Sequence, residues 1–153
     1  MNRHKILIVD DDSIALAIAR AMLENDHDVT TARSGREGLG YMRKETLPDL
    51  VLVDMEMPGV DGFEFIRTMR ANKELPEIPI ILMTSENTNK EVLGSYTSGA
   101  SDFITKPLEA DILNKKVNLH LHYLEILQEN EQLKEKIETL RAQFNQLFPP
   151  ESH

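Results

Sequence analysis

The 153-residue chain has no cysteine, which excludes a disulfide framework, a thiolate nucleophile and any zinc site built on sulfur. That composition suits a reducing compartment. Long apolar runs are missing too. Those present are short, such as Ile6–Val9 and Ile78–Met83, far below the ~20 residues of a membrane span. The opening MNRHKILIVDDD turns acidic after one short apolar run and does not read as a signal peptide. Basic charge is scarce: 17 Lys and Arg stand against 26 Asp and Glu, a net charge of −9. Broad nucleic-acid binding needs a basic surface to displace counterions, so it is not expected. What is present is a length suited to one ordinary domain with a short appendage. Its 41% hydrophobic content can build a core without metal or disulfide staples. A small cytoplasmic domain is the expectation.

Up to about residue 107, short strand-like runs alternate with amphipathic helical stretches. Lys5–Asp10 and Leu50–Asp54 are continuous apolar runs ending in a carboxylate, the pattern of strands buried on both faces. Asp28–Ala32 is β-branched and reads as a strand nearer an edge. Ile78–Thr84 is a fourth run, with Pro76 and Pro79 tolerable only near its start. Asp102–Thr105 is a short fifth that stops at Lys106–Pro107. Helical spacing covers Ser13–Asn25, capped by Asp12 or Ser13, with Ile14, Ile18 and Met22 on one stripe and Ala15, Ala19 and Leu23 beside it. It recurs over Arg36–Lys44, over Phe63–Ala71 after a loop at Gly59 and Gly62, and over Lys90–Ser98, where Gly94 weakens it. Five strands alternating with helices predict an α/β fold, a doubly wound five-stranded parallel sheet, because parallel neighbours need crossover helices.

From Leu108 the texture changes. Neither strand signal nor glycine occurs through Phe148, and Pro149 and Pro150 then stop any helix. Apolar residues recur at heptad spacing: Ile112, Leu119, Ile126, Leu133, Leu140 and Leu147 fall at d, and Lys116, Tyr123, Asn130, Ile137 and Phe144 at a. The later half predicts a coiled coil, and Asn130 at an a position favours two parallel strands in register. The flanking charges are mixed: Glu129 would face a partner's Lys134, but Lys136 would face its Arg141. The expected division is a domain over 1–125, a coiled-coil extension of the last helix over 126–148, and a tail over 149–153.

Asp10, Asp11 and Asp12 follow the first predicted strand, Asp54 ends the third, Thr84 the fourth, and Lys106 follows the fifth. In an open parallel sheet the carboxyl ends of the strands share one edge, where ligands bind, so these scattered residues should converge. Each alone is an ordinary turn, cap or surface residue; the joint pattern carries the signal. Crowded carboxylates stay ionised best around a cation. An oxygen-only set selects a hard ion such as Mg2+, which is often shared with a phosphate. An Asp beside such an ion is a nucleophile toward phosphorus, and Lys106 would neutralise charge on the transferring oxygens. Thr84 would donate a hydroxyl to a phosphoryl oxygen.

The motifs ILIVDDDS (Ile6–Ser13), LVLVDMEMPGVDGFEF (Leu50–Phe65), IILMTS (Ile80–Ser85) and SGASDFITKPL (Ser98–Leu108) give the chain a close resemblance, over about residues 4–125, to the receiver domain of two-component response regulators. The resemblance implies the flavodoxin-like sheet, with five strands and five helices. It implies Asp54 as phosphoacceptor for a sensor histidine kinase or phosphotransfer protein. Asp11 and Asp54 would ligate Mg2+ directly, Asp10 mainly through water, and the backbone carbonyl of Glu56 would complete the protein ligands. Asp12 is then a helix-start residue. Lys106 would contact the phosphoryl group, with a cis Lys106–Pro107 bond. Thr84 and Phe103 match the switch pair, with Phe103 replacing the common tyrosine and so carrying no ring hydroxyl. Phosphorylation would draw Thr84 inward and let Phe103 rotate, changing the last strand and its flanking helices.

The same resemblance implies signalling rather than enzymatic output, with self-catalysed phosphotransfer and dephosphorylation. The signal would leave through the last helix and a parallel homodimer built on Ile126, Asn130, Leu133, Ile137, Leu140, Phe144 and Leu147. Residues 149–153 are too few for an effector. Either the receiver stands alone with a dimerising tail or an effector domain follows, the second being preferred because receivers with a coiled helix often precede signalling domains. The tail has no basic reading helix, so direct DNA binding is not expected. An aspartate-dependent Mg2+ phosphatase of the haloacid dehalogenase type would place its acidic pair late in the chain, and here Asp10 and Asp11 come first. A non-signalling coiled-coil adaptor would leave the acidic residues unexplained.

Overall fold

The structure, a computed structural model, describes residues 3–85, 88–89 and 99–151. Its elements run β1 (Lys5–Val9), α1 (Ser13–Leu23), β2 (Asp28–Ala32), α2 (Gly35–Leu39), β3 (Leu50–Asp54), α3 (Gly62–Ala71), β4 (Ile80–Thr84), β5 (Asp102–Thr105) and α4 (Ala110–Leu147). The predicted helix over Lys90–Ser98 lies outside the described residues. All five strands are parallel, in the order β2-β1-β3-β4-β5. β2 is therefore an edge strand, as its β-branched composition predicts, and it is partly exposed.

The sheet is covered on both faces because its central strands carry unbroken apolar runs, Ile6–Val9, Leu50–Val53 and Ile80–Met83. Alternate residues of a strand face opposite sides. Leu7 and Val9 of β1, Val51 and Val53 of β3, and Ile80 and Leu82 of β4 form one core with Phe65, Ile66 and Met69 of α3. Ile6, Ile8 and Leu52 point the other way and are fully buried as well. α1 buries Leu16, Ala19 and Leu23 and leaves Ile14 and Ile18 exposed, so its core stripe lies beside the one that the isoleucines suggest. Each large aliphatic side chain buried here contributes about 1.5–3 kcal/mol.

Several boundaries shift for local reasons. β1 ends at Val9, although the Asp10 amide still donates to the Ala32 carbonyl at 3.1 Å. β4 begins at Ile80 because Pro79 lacks an amide hydrogen. α1 stops at Leu23, before the predicted Asn25. α2 ends at Leu39, not Lys44: three glycines within six residues weaken it. The chain then turns, held by the Thr46 hydroxyl on the Tyr41 carbonyl at 2.9 Å, with Leu39 and Met42 still packed on the core. Arg70 at the end of α3 reaches the Ile78 carbonyl at 2.7 Å and the Gly99 carbonyl at 2.8 Å, fixing the approaches to β4 and β5.

The chain divides into two compact units, Met1–His120 and Leu121–His153. In the second, every described residue from Gln128 onward is exposed, apolar ones included.

Candidate functional site

Strand register builds the site. Val9 pairs with Val53, so Asp10 leaves β1 beside Asp54, the last residue of β3. On the other side Asp54 pairs with Met83, one residue before Thr84. β1 and β3 are the neighbours at which the winding of the sheet reverses, and the crevice beyond their carboxyl ends is where open α/β sheets bind ligands. Asp12 is the N-cap of α1, its carboxylate accepting from the Ile14 amide at 2.9 Å. That removes Asp12 from the cluster and leaves Asp10 and Asp11 to face Asp54.

One carboxylate oxygen from each of Asp10, Asp11 and Asp54 lies within 4.8 Å of the others. Asp10 is buried, Asp54 half-buried and Asp11 exposed. Lys106 follows β5 across a cis bond to Pro107, and its amide donates to the Thr84 carbonyl at 2.7 Å. The Lys106 ammonium donates to Asp10 Oδ2 at 2.6 Å and stands 3.2 Å from Asp54 Oδ1. Asp10 Oδ1 also accepts from the Asp12 amide at 3.0 Å.

Burial, and then the neighbouring Asp10 charge, push the Asp54 carboxyl up to about 6 against the opposing pull of Lys106. Burial alone would lower the Lys106 ammonium, but its hydrogen bond to Asp10 and the Asp54 charge outweigh this and raise it. Three carboxylates against one ammonium leave a cluster short of positive charge. The donors are all oxygens, the set a hard divalent cation selects. Opposite ligands of an octahedral Mg2+ stand ~4.2 Å apart at its usual bond lengths, close to the span of these oxygens. The residues present therefore fit Mg2+.

Thr84 is buried, and its hydroxyl donates to the Ile104 carbonyl at 3.5 Å, a long bond. Phe103, opposite Leu82 in the β4–β5 register, lines a cleft of about 320 Å3 with Lys106, Pro107, Ile112 and Lys116. Glu56 is exposed just beyond β3, beside a cavity of about 550 Å3 that also touches Met57, Pro58 and Phe63.

Three features are not apparent in the sequence reading. Lys106 has Asp10 as its nearest carboxylate, a pairing that depends on both strand ends meeting. Gly62 donates to the Met55 carbonyl at 3.0 Å, and a Cβ there would meet the Asp54 carbonyl at 2.5 Å. Asp102 of β5 takes Lys116 at 2.8 Å and His120 at 3.0 Å, both from α4. Burial would raise the Asp102 carboxyl, but those two hydrogen bonds outweigh it and hold it below the usual range. The four-residue spacing of Lys116 and His120 was a usable signal; their common target was not.

Comparison with known proteins agrees with this geometry. The response regulator receiver domain family matches residues 6–118. The chain is 38% identical over 112 residues to the transcriptional regulatory protein AfsQ1 of Streptomyces coelicolor, covering 73% of this chain and 48% of that protein. It is 36% identical over 115 residues to PilH of Pseudomonas aeruginosa, covering 74% of this chain and 94% of that protein. It thus spans about half of the first relative and nearly all of the second. Among solved structures, one described as adenylate cyclase from Rhodopirellula baltica superposes with a TM-score of 0.76 at 27% identity, covering 88% of this chain and 98% of that one.

Proposed function

The chain belongs to the response regulator receiver family, and from that premise we propose that Asp54 is its phosphoacceptor, served by a sensor histidine kinase or a phosphotransfer protein. The carrying observation is the meeting of Asp10, Asp11 and Asp54 within 4.8 Å, with Lys106 bridging Asp10 and Asp54. An Asp54 oxygen attacks phosphorus, the donor's phosphorus–nitrogen bond breaks with its electron pair staying on the imidazole, and an acyl phosphate forms. Asp10, Asp11, Asp54 and the Glu56 carbonyl would hold Mg2+, which when bound supplies positive charge to the phosphoryl oxygens. Lys106 would add its own positive charge toward those oxygens. Burial keeps the Asp54 nucleophile poorly hydrated.

The switch assignment rests on Thr84 and Phe103. The Thr84 hydroxyl is held by one long hydrogen bond to β5, so a phosphoryl group with its strong acceptor oxygens can recruit it. Phe103 lines an open cleft into which its ring can move. The receiver serves as a signalling element, catalysing its own phosphotransfer and hydrolysis and acting in the cytoplasm where such donors work. Among the described residues no helix is long and apolar enough to cross a membrane.

The proposed division is a receiver over 1–125, a coiled-coil extension over 126–148 and a tail over 149–153. Ile126, Leu133, Ile137, Leu140, Phe144 and Leu147 are all exposed on α4, at heptad spacing around Asn130. A parallel homodimer would bury them. An effector beyond this segment would read the dimer's geometry.

Mg2+-dependent, stoichiometric labelling by acetyl phosphate that disappears in Asp54→Ala is the expected result. Continued labelling of that variant would overturn the assignment, and turnover of p-nitrophenyl phosphate would restore a phosphatase reading. Sedimentation with and without a phosphoryl mimic tests the dimer; a monomer in both states rules it out.

A further inference from the structure

At the edge of the sheet opposite the carboxylate cluster, just before β2, lies a histidine that the phosphoryl chemistry does not use. His27 is 1% exposed, and neither ring nitrogen makes a hydrogen bond. A neutral imidazole carries one donor and one acceptor, and leaving both unmet in a buried place is costly. The Asn118 Oδ1 of α4, buried and likewise short of a well-formed hydrogen bond, stands near enough to the His27 ring to favour its protonated form. Buried polar groups without well-formed hydrogen bonds are rare, and a facing pair of them calls for a reason.

The surroundings are tied down on every side. Arg3 donates to the carbonyls of Asn25 at 2.9 Å and His27 at 2.9 Å and pairs with Asp28 at 3.1 Å. The Asn114 amide, one turn before Asn118, donates to the Met22 carbonyl at 3.3 Å and so links α4 to the end of α1. The His4 ring lies 6.0 Å from that of His27.

We propose that His27 and Asn118 form a proton-responsive latch, closing the first turns of α4 on the α1–β2 loop while the imidazole is neutral and opening when it is protonated. An imidazolium here has nowhere to place its second N–H and its charge without admitting water between loop and helix. The groups that face it set the balance. Burial foremost, with His4 and Arg3 adding repulsion, holds the ring below its ordinary 6.5; Asn118 and Asp26 pull the other way. With the folded value below the unfolded one, stability is complete above pH 6.5 and falls as pH drops from there through the folded value. The latch does not depend on the phosphoryl reading and would operate in an Asp54 variant.

The test uses the full chain. Ring proton shifts followed by NMR should place the His27 titration below 6.5. Between pH 8 and pH 5 the wild-type folding constant, from urea unfolding, should fall relative to that of His27→Leu, by at most roughly tenfold per pH unit, the limit for one proton. Amide exchange over residues 110–120 should accelerate over the same interval. Asn118→Asp, which offers the imidazolium a carboxylate, should raise the ring's titration point and reverse the trend. A ring titrating at 6.5 or above overturns the proposal, as does parallel pH dependence in wild type and His27→Leu, or unchanged exchange over 110–120. Should His27→Leu fail to fold, the ring titration in Asn118→Asp decides alone.

Discussion

At the residue scale, the molecule holds Asp54 in a charge state it resists. Its carboxyl is raised from 3.8 to about 6 by burial and by Asp10, so ionisation opposes folding in the metal-free protein. With the folded value above the unfolded one, the cost is full above about pH 6 and vanishes as pH falls toward 3.8. Metal-free Asp54→Asn should therefore be more stable than wild type at pH 7.5, by about 1–3 kcal/mol, and the gap should close on acidification to pH 4. Urea titrations at the two pH values check this. Mg2+ should raise the thermal midpoint of the wild type through mass action, and Asp11→Asn should lose most of that gain. Gly62 is held to its identity by contact rather than by backbone angle: a methyl group would strike the Asp54 carbonyl at 2.5 Å. Gly62→Ala should slow labelling of Asp54 by acetyl phosphate tenfold or more, on the order expected when a reacting group is displaced by a fraction of an ångström.

At the scale of elements, the strands were legible because burial on both faces writes itself as unbroken apolar runs, as in Ile6–Val9 and Leu50–Val53. Helices were less so. α1 looks best packed along Ile14 and Ile18, yet the sheet takes Leu16, Ala19 and Leu23 instead. Both stripes are apolar, and only the neighbouring surface chooses between them. α2 shows the limit of periodicity: Leu39 and Met42 do pack on the core, but from a glycine-weakened turn rather than a helix. Arg70 was equally hidden. Sequence spacing leaves Met69 or Arg70 to complete the face begun by Phe63 and Ile66, and nothing local reveals that the Arg70 guanidinium ties the approaches to two strands together. Burial lowers its pKa, and removing it would leave the partly buried carbonyls of Ile78 and Gly99 without this donor. Arg70→Ala should destabilise the domain by about 2–4 kcal/mol, measured by urea unfolding, while Arg70→Lys should recover only part of the loss.

At the scale of the whole molecule, α4 carries two kinds of apolar residue. Leu113 and Val117 are fully buried, whereas Leu133, Ile137, Leu140 and Phe144 are each at least half exposed. Leu133→Lys with Leu140→Lys should abolish the proposed dimer in sedimentation without altering acetyl-phosphate labelling of Asp54. Asn130→Ile should strengthen association and admit higher oligomers, because a buried polar a residue limits stoichiometry at a cost in stability. The sequence by itself determined the fold class, the parallel order implied by alternating elements, and which residue types could gather at one edge, since periodicity and strand-end position are local properties. Only the tertiary structure decided that Lys106 lies nearest Asp10, that Gly62 abuts the Asp54 carbonyl, that Asp102 binds two residues of α4, and that His27 is buried against Asn118. Those depend on distances between segments far apart in the chain, and such distances exist only once the sheet register is set.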